Sequence, residues 1–174
     1  MRVVERSAGG DTEAERERIA PVPRVSLQAF CETPELASII NESCADRRMD
    51  KAHAKVHMGG APAAVEAFRG APTPNIIVLE SSADRAELVG HLDSLSEFCD
   101  AGTKVIVAGR VNDITLFRQL MGRGVSEYLV MPFGVLDFIR AVSSLYTSDG
   151  ANPLGRIIAV TGAKGGGRCL LDRP

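Results

Sequence analysis

The run Gly162-Ala-Lys-Gly-Gly-Gly167 follows the apolar segment 156–160 (RIIAV). A glycine-rich turn after a buried strand is the setting of a phosphate cradle, in which backbone amides and a following helix N-terminus meet the anion. His53 and His57 have the same-face spacing of a strand, but no third ligand lies near them in sequence, so solvated histidines are expected rather than a metal site. His91 has no evident partner. Cys31, Cys44, Cys99 and Cys169 lie far apart without a CxxC pair, which points to buried or incidental thiols rather than a zinc knuckle or a disulfide framework. Aromatic residues make up 5% of the chain and tryptophan is absent, so stacking on single-stranded nucleic acid has no support.

The elements that must position such groups follow from composition and periodicity. The 174 residues are 45% hydrophobic and 24% charged, with a net charge of −2, as expected of a soluble globular chain that buries one core. No apolar run approaches the ~18 residues of a membrane helix, and residues 1–10 lack the apolar stretch of a signal peptide. A cytoplasmic protein without direct membrane insertion is expected. The charge balance offers no basic field for nucleic acid. Residues 1–23 mix both charge signs and end in Pro21-Val22-Pro23, which reads as a flexible leader.

From Arg24 onward short β-rich runs alternate with helix-period segments, the pattern of a parallel sheet wrapped by helices. Strands are predicted over 25–30, 55–58, 75–79, 104–108 and 127–130. Thr33-Pro34 caps the first helix, which turns Leu36, Ile39, Ile40 and Cys44 to one face. An Ala-rich helix spans 61–68. Asp84 caps a third helix bearing Leu88, Leu92, Leu95 and Cys99. Asp113 caps a fourth with Ile114, Phe117 and Met121 on its face, and a fifth carries Leu136, Ile139, Val142 and Leu145. The stretch 147–155 (TSDGANPLG) reads as a linker, and 156–174 as a new strand running into the glycine loop.

The order of these elements, with 74–80 (PNIIVLE) and 127–133 (EYLVMPF), resembles the receiver domain of response regulators over residues 24–146. The resemblance implies a doubly wound, flavodoxin-like (βα)5 α/β fold with strand order 2-1-3-4-5 and a pocket at the strand ends. The family's reaction needs an aspartate acceptor, an acidic pair for Mg²⁺, a hydroxyl after the fourth strand and a lysine after the fifth. Those positions hold Glu80, Cys31 with Glu32, Gly109 and Met131. Glu80 is one methylene longer than aspartate, which displaces its carboxylate by about 1.5 Å from a productive geometry. The resemblance therefore implies a degenerate pocket. Glu80 reads either as a strand-end acid paired with a local donor, the reading preferred, or as a fixed negative charge imitating phosphorylation, for which Gly109 supplies no switch. Asp84 is the nearest alternative acceptor, although its place suits a helix cap. A cis bond before Pro132 is implied as well.

The glycine loop is similar to the opening of the deviant Walker A motif of ParA/MinD ATPases, with Lys164 as the signature lysine and Gly162, Gly165, Gly166 and Gly167 around it. The motif stops at Arg168-Cys169-Leu170, with no Ser or Thr for Mg²⁺. A truncated ATPase domain is expected, the tail 168–174 reading as a frameshift or early stop, so no cofactor is expected here and ATP with Mg²⁺ belongs to a full-length relative. A degenerate receiver, a linker and this loop together resemble the CpaE/TadZ family of Flp (Tad) pilus assembly proteins. The family implies a non-catalytic targeting and interaction domain with protein partners among pilus or polar factors, a homodimer included, in the cytoplasm and at a cell pole. Receiver partners usually bind the face of the fourth helix, fifth strand and fifth helix, where Arg118, Arg123, Glu127, Asp137 and Arg140 are candidates. Two alternatives stay open: a phosphorylatable receiver of a two-component system, and a nucleotide-binding remnant.

Overall fold

The structure is a computed structural model that describes residues 19–147. The first 18 residues, the linker from 148 and the strand and glycine loop expected over 156–174 lie outside the described residues. β1 (Val25–Cys31), α1 (Pro34–Cys44), a short 3-10 turn (Arg47–Met49), β2 (Ala52–Met58), α2 (Gly60–Phe68), β3 (Ile76–Ser81), α3 (Arg85–Ser96), β4 (Lys104–Gly109), α4 (Ile114–Gly122), β5 (Glu127–Val130) and α5 (Val135–Thr147) follow in order. The five strands pair in parallel as β2-β1-β3-β4-β5, the order expected. Strand order reverses between β1 and β3, and the crevice at their C-terminal ends is where this architecture places ligands.

Alternation along the strands divides the core in two. Leu27, Ala29, Ile76, Val78 and Ile106 face α1 and α5, meeting Leu36, Ile40, Phe138, Ile139 and Val142. Phe30, Ile77, Leu79 and Val107 face the other way, onto Ala64 and Phe68 of α2, Leu88, Leu92 and Leu95 of α3, and Leu116 and Leu120 of α4. All six residues of β3 are buried, as a central strand covered on both faces must be. Thr33, Asp84 and Asp113 cap α1, α3 and α4 by accepting from the amides of Leu36, Glu87 and Thr115.

Three details depart from the sequence reading. Residues 19–23, assigned there to the leader, are docked: Ile19 and Val22 enter the core, the Val22 amide donates to the Arg48 carbonyl at 2.8 Å, and Ser143 Oγ donates to the Ala20 carbonyl. β2 begins at Ala52, three residues earlier than expected, because alternate residues of this edge strand face water and hide its apolar side. In α4 the buried pair is Leu116 and Leu120; Ile114 and Phe117 point outward. This helix carries two apolar stripes, and the sheet takes only one.

Candidate functional site

Glu80, the penultimate residue of β3, lies at the switch point and is 4% exposed. Among the described residues no cation meets its carboxylate. Oε2 accepts from the backbone amides of Glu32 (2.7 Å) and Thr33 (2.8 Å), and Oε1 accepts from Thr33 Oγ1 (2.6 Å). Thr33 is also the N-cap of α1, so the acid lies against the positive end of that helix dipole. Glu32 makes the converse connection: its Oε2 accepts from the amide of Ser82 (2.9 Å) and from Ser82 Oγ (2.5 Å). Each of two loops thus sends one carboxylate to the other, and the reciprocal pair sews the β1–α1 turn to the β3–α3 turn. Gly60, at φ 59°, leaves room for this: a Cβ there would fall 2.6 Å from Glu32 Cγ.

Cys31 is buried, and its thiol is pushed up to about 12 by desolvation and by the charge of Glu80. Gly109 ends β4, and its open space is filled by the ring of Tyr128 from β5, whose Oη donates to the Val111 carbonyl at 2.8 Å. Met131 is buried, with its amide on the Gly109 carbonyl, and the Met131–Pro132 bond is cis. Asp84, as the cap of α3, is engaged with the Glu87 amide.

These residues do not fit the metal and phosphoryl group that a receiver fold implies. A hard cation wants several carboxylate oxygens facing one point. Here Cys31 replaces one acid of the pair, Glu32 is turned to Ser82, and the oxygens of Glu80 are taken by N–H and O–H donors. Met131 supplies no positive charge. Among the described residues no three His, Cys, Asp or Glu side chains gather into a metal-holding group, and His53 and His57 lie exposed on β2, His57 stacking on Phe30 at 5.0 Å.

The surface candidates are dispersed. Arg123 turns to α3, where it bonds Asp93. Asp137 accepts from the Gly134 amide (3.1 Å) and from Arg140 (3.2 Å) within α5. Glu127 accepts from the Tyr128 amide, while Arg118 is exposed on α4. Periodicity missed what lies beside them: of five large exposed apolar side chains among the described residues, Val111, Ile114, Phe117 and Val130 belong to the β4–α4 loop, α4 and β5. The second stripe of α4 was the available signal. Sequence reasoning also missed Thr33 as the partner of Glu80, Ser82 as that of Glu32, and Tyr128 as that of Gly109. The last is a diagonal contact, since Gly109 pairs with Val130 and Tyr128 with Val107, so no register pair displays it.

A five-stranded parallel sheet in this order, with helices on both faces and an acidic strand-end crevice, defines a receiver-like domain. Solved structures bear this out: the receiver domain of the response regulator NarL from Mycobacterium tuberculosis superposes with a TM-score of 0.55 at 14% identity, over 73% of this chain and 99% of that one. Much nearer in sequence is the pilus assembly protein CpaE from Caulobacter crescentus CB15, 48% identical with a TM-score of 0.71, covering 73% of this chain and 97% of that one. A CpaE2 pilus assembly protein from Sinorhizobium meliloti 1021 is 40% identical, with a TM-score of 0.66, over 68% and 97% of the two chains. The chain belongs to the CpaE family of pilus assembly proteins. No family model matches it, and no curated protein matches its sequence. No helix among the described residues is long and apolar enough to cross a membrane.

Proposed function

We propose that this chain is a non-catalytic, receiver-like interaction domain that serves pilus assembly through protein–protein contacts and contributes to placing the machinery at a cell pole. The observation that carries this reading is the state of Glu80. At the position where a receiver accepts a phosphoryl group, the carboxylate is shut from water and consumed as an internal brace. A nucleophile whose lone pairs are held by three donors is poorly placed to attack, and the groups that would neutralise the transferred charge are missing.

What the fold offers instead is surface. The apolar group of Val111, Ile114, Phe117 and Val130 suits burial against another protein, because water is displaced from side chains that the core does not use. A second copy of the chain is the proposed occupant. Arg118 and Glu127 supply unlike charges on neighbouring elements, which a two-fold axis can pair across the interface.

Incubating the chain with a small phosphodonor and Mg²⁺, followed by intact mass measurement, tests the non-catalytic part. No phosphorylated species is expected, and a stable gain of one phosphoryl group at Glu80 or Asp84 overturns it. Sedimentation velocity tests the surface: Ile114→Asp is expected to weaken self-association at least ten-fold. Polar placement is checked by imaging the full chain as a fluorescent fusion in a piliated host, where diffuse signal counts against it.

A further inference from the structure

The nine residues of α2 span about 13 Å, against about 23 Å for the seven of β2, so the helix cannot roof the whole strand. The register sets Ser26 beside His53, Gln28 beside Lys55 and Phe30 beside His57, three rungs on the face that α2 packs against. Only the last rung is roofed: Phe30 is buried against Phe68, the final residue of α2, with ring centroids 5.5 Å apart, and His57 stacks on it. The other two rungs line a cavity of about 700 Å³ that the loop 72–74 bounds. That loop is braced, since Thr73 Oγ1 donates to Asp100 at 3.0 Å and lies 2.9 Å from Thr103 Oγ1.

These rungs are polar where a covered sheet would be apolar, and their charge is of one sign. From Lys51 to Met58 the chain holds two lysines, two histidines and no acid, in a protein whose net charge is −2. Among the described residues no Asp or Glu lines the cavity, and the side chains of Gln28, His53 and Lys55 join no hydrogen bond or ion pair of the fold. Asp46 and Asp50 belong to the turn ahead of β2, where Asp46 is engaged by Arg48. An ammonium, an imidazole N–H and a carboxamide thus stand side by side on a sheet that already fixes their spacing, so carboxylates can meet them with little further ordering.

We infer that this uncovered part of β1 and β2 is a docking site for an acidic peptide segment of a partner protein, its carboxylates meeting Lys55 and His53 and its backbone meeting the Gln28 carboxamide. Charge complementarity selects this occupant. A nucleotide would call for an aromatic platform, and the phenyl ring of this face, Phe30, is already closed off. The site lies toward the β2 edge of the sheet and the apolar group of α4 toward the β5 edge, so it is a second surface and does not depend on self-association.

The test titrates the full, isotope-labelled chain with acetylated hexaglutamate at about 25 mM salt, where screening is weak, and with a glycine–serine peptide of equal length as control. Saturable amide shifts are expected at residues 26–28, 53–55 and 73 with hexaglutamate and none with the control. Lys55→Glu should weaken binding about ten-fold or more and Lys55→Gln by less, while Arg85→Glu, the same change of charge on α3, should leave it within about two-fold. Lys55 is exposed, so both of its substitutions should fold, and Lys55→Gln carries the test if the charge reversal does not. Absence of saturable shifts overturns the inference. Equal weakening by Lys55→Glu and Arg85→Glu also overturns it, because net charge alone would then be at work. Inorganic phosphate binding as tightly as hexaglutamate makes this a small-anion site instead. Loss of self-association in Lys55→Glu, read by sedimentation velocity without peptide, assigns the site to a second copy and overturns the acidic partner.

Discussion

A buried carboxylate without a cation survives only if enough donors converge on it, and Glu80 has three, two of them main-chain amides at the start of α1. Glu80→Ala leaves all three without an acceptor in a closed site, and the expected loss is about 2–4 kcal/mol in urea unfolding. Glu80→Asp should lie between that variant and the parent, because the shorter arm cannot reach both the amides and the hydroxyl. Cys31 makes a second prediction at this scale. With its thiol pushed up to about 12, it should resist alkylation in the native state while Cys44 and Cys99, which are half-buried, react slowly. Rapid labelling of Cys31 at neutral pH would contradict the burial. The place of Glu80 was legible in the sequence because an apolar run ending in an acid marks a strand end. Its partners were not legible, since they lie 47 and 48 residues away and two of them are backbone groups that no motif displays.

Capping was the most readable feature of the elements, because a cap is local. Asp84→Ala should cost about 1 kcal/mol by removing the acceptor for the Glu87 amide, measured by thermal unfolding. The short turn before β2 is held by Asp46 and Arg48, a bidentate pair with bonds of 2.8 and 2.7 Å. That hydrogen bonding holds the Asp46 carboxyl down to about 2 from an ordinary 3.8. A depressed carboxyl contributes stability that is complete above the unfolded value and is lost as the pH falls through the folded one. The parent should therefore lose up to about 2 kcal/mol of stability as the pH falls from about 4 to 2, and Asp46→Asn, with no carboxyl to protonate, should be less stable than the parent above this range and lack that loss, as urea unfolding across it would show. The face of α4 was misread for a physical reason. Ile114, Phe117 and Met121 satisfy helical spacing as well as Leu116 and Leu120 do, and only the position of the sheet decides between them. Leu116→Ala should cost about 2–5 kcal/mol, while Ile114→Ala should change stability by less than about 0.5 kcal/mol.

At the scale of the molecule the alternation of strands and helices made a parallel sheet legible, while the strand order came from the receiver resemblance, since right-handed connections restrict the order without fixing it. What could not be read was how the two ends of each loop meet. The exchange between Glu32 and Glu80 joins the turns after two neighbouring strands, β1 and β3, that are far apart in sequence, while Ser143 with Ala20 ties the segment before β1 to α5 and Val22 ties it to Arg48. Among the described residues the two edges of this sheet are β2 and β5. β5 is only four residues long, which limits what can add to it. β2 has seven residues, and on its open side His53, Lys55 and His57 alternate with the residues that pack inward. A charged lysine in the middle of an exposed edge discourages another strand from zipping onto it, since its ammonium group would lose water on pairing. The same strand that looked like a metal-binding stretch thus has a colloidal consequence: replacing Lys55 with valine would leave the fold intact and turn this edge into the chain's first point of aggregation on storage at high concentration.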